Sequence, residues 1–196
     1  MAQCVAGEQY RSLIRQLFEI GRQLHQPGGY PFDPTQLQRH LQAAIEGRFS
    51  RFSVLYPVIV IYGASVEEMV KLGQYGWSNE DITSNNFPTN REGTIDVVVE
   101  LIHFGLHAVT DEALRELDGM GYRPAELHEL LAFGAKYPDI QREFPVVALG
   151  SVWQDPCGSH YAPVLFVDVD GSRRRLGLGL TEYGWASDFR FAAVRK

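Results

Sequence analysis

The chain has 196 residues, of which 45% are hydrophobic and 21% are charged, a composition typical of a globular protein with a substantial core. Its 24 acidic and 18 basic residues give a net charge of −6, which argues against nucleic-acid binding through overall charge. Two cysteines exclude a disulfide framework. Residues 1–20 lack a secretory pattern and no apolar run could span a bilayer, so we expect a soluble, cytoplasmic protein without membrane contact.

Residues 1–49 predict a helical hairpin. From Glu8 to Gln26, apolar residues recur with the three- and four-residue spacing of one helical face. A stretch rich in Pro and Gly interrupts the pattern, and Asp33 before a proline is typical of the start of a second helix, which should reach about Glu46. The apolar faces can pack on the rest of the chain or form a homo-oligomer.

The next segment predicts strands alternating with short helices. "FSVLYPVIVIYGA" is typical of a strand with Pro57 at an edge or a bulge, and Ser65 with Glu68 predicts a capping box on a helix that ends near Gln74. Residues 77–93 show no periodicity, which indicates a long loop with a function or with mobility. A buried strand is expected from Thr94.

Two helices and then an antiparallel sheet are expected in the C-terminal half. Thr110 is predicted to cap a helix that stops at Gly121, and the next helix should begin at Pro124, with His128 and Glu129 as a surface pair. The runs "FPVVALGSVW", "YAPVLFVDVDG", "RRRLGLGL" and "FRFAAVR" predict four strands. The Asp and Gly residues of "DVDG" are better explained by a hairpin turn than by a calcium site.

Several residues could carry chemistry, but each has a simpler structural interpretation. His103 and His107 have a metal-ligand spacing only on a helix, whereas their segment predicts a strand and a loop. Cys157 and His160 could imitate a nucleophile and its base, yet nothing visible orients them. The arginines 173–175 should alternate in direction along a strand. No nucleotide or hydrolase fingerprint occurs, so we predict no catalytic residue, no metal and no cofactor.

Residues 110–196 resemble a known family. "TDEALRELDGMGYRPAELHELLAFG" resembles a helix of the C-type-lectin-like domains of the formylglycine-generating-enzyme type. "VVALGSVW", "YAPVLFVDVDG" and "WASDFRFAAVRK" are similar to the strand, display hairpin and closing strand that follow it there. Ala125 and Glu126 stand where the family often has Thr, and the first 60 residues have no counterpart. The resemblance implies an α+β fold, with a C-type-lectin-like domain over residues 50–196.

Within that superfamily, the enzymes need paired cysteines or a copper thiolate site in the C-terminal half, where this chain has only Cys157. The sugar-binding lectins need calcium-binding triplets that are not found here. The remaining relatives are the variable proteins of diversity-generating retroelements, which display exchangeable residues on a fixed scaffold. Tyr and Trp beside Ser, Asp and Gly also have the chemistry of antibody contact surfaces. We expect a ligand-binding surface formed by Trp153, Asp155, Cys157, Ser159, His160, Tyr161, Tyr183, Trp185, Ser187, Asp188 and Phe189, with at least one of the two tryptophans in the core.

The function that the resemblance implies is non-enzymatic recognition of a protein or another macromolecule. One alternative is an enzyme or cofactor-binding domain with a pocket between residues 77–93 and the sheet, using His103, His107 or Glu100. Another is a mobile-element protein that contacts nucleic acid through the arginines 173–175.

Overall fold

The structure, a computed structural model, describes residues 7–24, 41, 54–104 and 107–196. The chain divides into two compact units, residues 1–51 and 52–196. In the first unit, α1 spans Glu8–Leu24 and keeps large apolar side chains such as Phe18 exposed. The second helix of the predicted hairpin lies outside the described residues.

The second unit contains four further α-helices, a short 3-10 helix (Thr181–Tyr183) and nine strands within its described residues. The helices are α2 (Val66–Gly73), α3 (Thr110–Gly119), α4 (Leu127–Lys136) and α5 (Ile140–Glu143). The strands are β1 (Leu55–Ile61), β2 (Trp77–Ser78), β3 (Thr94–Ile102), β4 (Tyr122–Pro124), β5 (Val146–Val147), β6 (Trp153–Gln154), β7 (His160–Val167), β8 (Arg174–Leu180) and β9 (Arg190–Arg195).

The strands form one mixed sheet in the order β1-β3-β9-β5-β7-β8-β2, with β4 paired to β9 and β6 paired to β7. The β2–β8 and β5–β9 pairs are parallel, and the others are antiparallel. The protein is therefore an α+β protein with a mostly antiparallel sheet, as the sequence predicts.

Apolar clusters cover both faces of the sheet. Helices α2 and α4 pack on the face that we call the front, through residues such as Met69 and Leu130. Helix α3 packs on the back face, where Leu117 meets Trp185 and Phe191. Strand β9 contributes alternate side chains to the two clusters, so its apolar sequence follows from a central position in the sheet.

Local sequence signals place several elements correctly. Pro57 lies in β1, at an edge of the sheet, and its carbonyl accepts hydrogen bonds from Lys136 Nζ and Tyr137 Oη. Ser65 and Glu68 form the predicted capping box of α2. A proline at a sheet edge removes no ladder hydrogen bond, which explains why this strand tolerates it.

The segment 77–93 is more structured than the sequence indicates. Trp77 and Ser78 pair with β8, Ile82 and Phe87 are buried, and the Ser84 hydroxyl donates to Glu67. The loop interpretation was incomplete because the pairing partner of β2 lies about a hundred residues further along the chain.

Both predicted helices in the middle of the chain are present, but their N-terminal caps differ from the prediction. The residue at the N-cap of α3 is Val109, and the Thr110 hydroxyl instead donates to the carbonyl of Thr181. Pro124 ends β4, and α4 begins only at Leu127 with Glu126 as its N-cap. In each case, pairing with the C-terminal segment determines the local structure.

The alternating glycines of β8 are explained by rings that cross the strand. A Cβ on Gly177 would lie 2.8 Å from the Phe166 ring, and one on Gly179 would lie 2.7 Å from the Trp185 ring. The "DVDG" segment forms the β7–β8 hairpin turn, in which the Asp168 N–H donates to Arg173 and the Gly171 N–H donates to Asp168. The predicted hairpin turn is thus present.

Candidate ligand-binding surface

The segment 181–189 is held on the back face by a buried anchor, Trp185. This side chain is 2% exposed, and its Nε1 donates to the Thr110 hydroxyl. Its backbone N–H and carbonyl both pair with Ala108. Trp185 is therefore a core residue, in agreement with the expectation that at least one of the two tryptophans is buried. Little of its side chain is available to a ligand.

Two histidines fix the same segment from the side. His103 Nε2–H donates to the carbonyl of Ser187 at 2.7 Å. Gly184 has φ +74°, and a Cβ there would lie 2.6 Å from the His107 ring and 2.8 Å from the Ala108 carbonyl. Within the described residues no cluster of His, Cys, Asp or Glu could hold a metal ion. The two histidines therefore contact residues 184–187 of the C-terminal segment.

The side chains between these anchors face outward. Tyr183 is 79% exposed, and Ser187 and Asp188 are also exposed. Glu182 accepts hydrogen bonds from the His160 backbone N–H and lies 3.1 Å from His160 Nδ1, which joins the two predicted contact loops. The backbone N–H of His160 lowers the pKa of Glu182, so this carboxylate is ionised at neutral pH.

The turn between β6 and β7 is organised by Asp155. Its carboxylate accepts hydrogen bonds from the N–H groups of Cys157 and Ser159, while Gly158 takes φ +93°. The Cys157 side chain is exposed at the tip of this turn. Asp155 therefore shapes the turn, whereas Cys157 and His160 face the solvent.

The structure divides the predicted ligand-binding residues between the two faces of the sheet. Trp153 packs on the front cluster and its ring lies 5.9 Å from that of Tyr161. Phe189 is half-buried on the back face, where it contacts Trp185. The residues that share the exposed back-face surface are His160, Tyr183, Ser187 and Asp188, together with Glu182, which the sequence interpretation missed.

A groove of about 430 Å³ adjoins this surface. Val164, Phe166, Gly179, Asp188 and Phe189 are among the residues that line it. Phe144 also lines the groove, and the Arg190 guanidinium lies 4.5 Å from its ring centre. The lining combines apolar side chains with charged ones, which suits an inserted side chain of a ligand.

A buried network of charged and hydroxyl groups went unrecognised in the sequence. The prediction of a surface pair at His128 and Glu129 is wrong, since these residues are 4% and 0% exposed. Glu129 accepts two hydrogen bonds from Arg123 and one from Tyr62. Burial opposes ionisation of Glu129, but these donors outweigh it and lower the pKa of the carboxyl.

A second buried carboxylate, Glu100, is bound in a similar way on the back face of the sheet. Glu100 is 1% exposed and accepts hydrogen bonds from Tyr122 Oη at 2.6 Å and Arg195 Nε at 3.0 Å. Tyr122 and Arg123 are neighbours in β4 and point to opposite faces, so one short strand serves both carboxylates. In the sequence, the only signal for these two buried carboxylates was the pair of adjacent hydrogen-bond donors, Tyr122 and Arg123, before α4.

A cleft of about 520 Å³ lies where β9 ends. Arg91, Arg123 and Arg195 line it together with Tyr62 and Glu100. The alternative prediction of an enzyme places a pocket between residues 77–93 and the sheet, with His103, His107 or Glu100 as its working residues. Arg91 from that segment and Glu100 both line this cleft, but His103 and His107 do not. Among the residues of the enzyme alternative, this cleft is therefore lined by Glu100 but not by the two histidines.

The basic run at 173–175 does not form a patch. Arg174 donates to the carbonyls of Gly73 and Gly134, and Arg175 pairs with Asp168 and lies over the Trp77 ring. Arg173 is the exposed member of the three. This arrangement follows the predicted alternation along the strand.

Within the described residues, no helix is long and apolar enough to cross a membrane. Comparisons of the chain with protein-family models, with curated proteins and with solved structures found no match.

Proposed function

We propose that this chain is a non-enzymatic recognition protein that binds a protein or another macromolecule through its C-terminal back-face surface. The observation that carries the proposal is Tyr183, a large aromatic side chain that is 79% exposed between firmly anchored residues. An exposed tyrosine offers a large contact area with few rotatable bonds. Its anchored backbone reduces the ordering that binding would cost.

The groove beside Asp188 supports the same proposal. A ligand that covers Tyr183 and Asp188 can place an apolar side chain against Val164 and Phe166. Apolar pockets surrounded by polar groups are typical of the energetic centre of a protein interface. The lectin-like scaffold and the variability of the exposed positions stay predictions from the sequence resemblance.

Site-specific photo-crosslinking can test the proposal. Benzoylphenylalanine in place of Tyr183 should crosslink one partner in an extract of the source cells, and the same residue at Asp188 should crosslink the same partner. Leu72 in α2 is 67% exposed and provides a control position away from the surface. Crosslinking of the same species from Leu72, or of unrelated species from the two test positions, would contradict the proposal.

Binding of the purified partner should then respond to point changes. Tyr183→Ala and Asp188→Ala should each weaken binding about tenfold or more, as changes at an interface centre do. Both residues are exposed, so the free energy of unfolding should change by only about 0.5 kcal/mol. Unchanged affinity in both variants would exclude this surface as the binding site.

The retroelement prediction has a separate test in the source genome. It expects a near-copy of the DNA that encodes the C-terminal segment, beside a reverse-transcriptase gene, with differences confined to template adenines. Close copies of the protein should then differ at Tyr183, Ser187 and Asp188. Invariance at these positions would exclude variable display and would leave recognition by a fixed surface.

A further inference from the structure

The groove of about 430 Å³ beside Asp188 is lined mainly by apolar side chains. Val164 and Phe166 of β7 and Leu178 of the neighbouring β8 are among them. Phe144, which follows α5, also lines the groove. A ligand side chain with an apolar stem can therefore be buried here.

Three charged residues line the same groove, and only the basic one is paired. Arg142 Nε lies 3.5 Å from a carboxylate oxygen of Asp139, and its Nη1 donates to the carbonyl of Gly171. Within the described part of the chain, the carboxylates of Glu143 and Asp188 accept no hydrogen bond and form no ion pair. Both residues are exposed. The positive charge in the lining is thus balanced, whereas the two negative charges are not.

Two other polar side chains at the groove are already bound to the backbone. Gln141 Nε2 donates to one carbonyl of β7 and one of β8. Arg190 does not itself line the groove, and its Nη1 donates to two backbone carbonyls while its guanidinium lies 4.5 Å from the ring centre of Phe144. The groups that remain for a ligand are the two carboxylates and the apolar side chains.

The balance of charge decides which ligand group fits. The charged groups in and beside the groove are three carboxylates and two guanidinium groups, which belong to Asp139, Glu143, Asp188, Arg142 and Arg190. One negative charge is in excess, so the groove attracts a cation and disfavours a phosphate or a carboxylate. Lysine and arginine combine an apolar stem with a terminal cation, and the lining complements both parts.

We propose that the partner recognised at this surface inserts a basic side chain, Arg or Lys, into the groove. Its methylene stem contacts Val164 and Phe166, and its cationic group binds the carboxylates of Glu143 and Asp188. Hydrogen bonds between ionised groups are stronger than those between neutral ones, and exposed carboxylates also favour the approach of a basic partner. The inference rests on the proposed recognition function and names the chemistry of the partner's contact surface.

Amide chemical shifts of the isotope-labelled full-length chain test the proposal with defined peptides. The probes are acetylated tripeptide amides with Arg or Lys between two alanines, and the neutral controls have citrulline or norleucine at the central position. The Arg and Lys peptides should shift the amides of Gly179, Asp188 and Phe189, which line the groove. The neutral peptides should bind roughly tenfold more weakly, because the charge-assisted hydrogen bonds are lost.

Point changes should identify the two carboxylates. Glu143→Gln and Asp188→Asn should each weaken binding of the Arg peptide about threefold, as expected for one exposed ion pair. Glu112→Gln is the matched control, since Glu112 is an exposed acidic residue of α3 that does not line the groove. Equal affinity for the Arg and citrulline peptides, shifts confined to other amides, or equal effects of the three substitutions would each overturn the proposal.

These measurements need no identified partner, so this inference and the recognition function can fail separately. Recognition stands without a basic side chain if the Arg peptide does not bind, while the partner crosslinked from Tyr183 still needs Tyr183 for binding. Conversely, the preference of the groove for a basic side chain stands, and the recognition function fails, if the Arg peptide binds but position 183 crosslinks no partner.

Discussion

Glu129 shows at the scale of one residue how this fold uses a buried charge. Its carboxylate has no exposed surface, yet it is bound by Arg123, by the Tyr62 hydroxyl and by the backbone N–H of Glu126. The sequence suggested a surface position because glutamate is rarely buried without partners. Tyr62 lies 67 positions away in the chain, so no local pattern could identify it.

We predict that Glu129→Gln destabilises the protein by about 3 to 5 kcal/mol at neutral pH, because it leaves the largely buried Arg123 without a counter-charge. Urea unfolding of the variant and the wild type measures the difference. Glu182→Gln removes an exposed carboxylate and should have a much smaller effect. Equal effects of the two substitutions would contradict the buried ion pair.

The difference in the free energy of unfolding between wild type and Glu129→Gln should depend on pH. The pKa of Glu129 is lowered in the folded state, so its contribution to stability is present above the unfolded pKa of about 4.3. That contribution is lost as the pH falls through the lower, folded pKa. The difference between wild type and Glu129→Gln should therefore shrink below about pH 4.

At the scale of elements, local signals predicted those helices and strands whose ends depend on nearby residues. The capping box of α2 needs only Ser65 and Glu68, which lie in the same turn. The start of α4 depends instead on Pro124, which pairs with Ala193 in β9 and so belongs to a strand. Proline also suits the first turn of a helix, so the sequence pattern predicted that α4 begins at Pro124, three residues too early.

The glycine positions of β8 provide a prediction at this scale. Gly179→Ala should destabilise the protein by about 1 to 3 kcal/mol, because the new Cβ would displace the Trp185 ring that anchors residues 181–189. Thermal unfolding and tryptophan fluorescence measure the loss. Gly119→Ala in α3 is the control, since its Cβ would meet no atom within 4 Å and alanine favours a helix. Equal effects would refute this explanation of the glycine pattern.

At the scale of the whole molecule, the unit of residues 52–196 contains both apolar clusters and the complete described sheet. A fragment of residues 54–196 should therefore fold alone and unfold in one cooperative transition. The three tryptophans lie in β2, β6 and the C-terminal segment, so they report on separate parts of the sheet. Different midpoints by fluorescence and circular dichroism would show that the clusters unfold separately.

The sequence by itself determined the α+β class, the strand that contains Pro57, the capping of α2, the β7–β8 turn and the presence of the last strand, β9, but not the central position of β9 in the sheet. These features depend on periodicity, turn residues and local hydrogen bonds, which are written in neighbouring positions. Tertiary structure alone decided that Trp185 is an anchor, that Trp153 and Tyr183 lie on different faces, and that Glu100 and Glu129 are buried carboxylates. Their partners are distant in the chain, and only the pairing of strands brings them together.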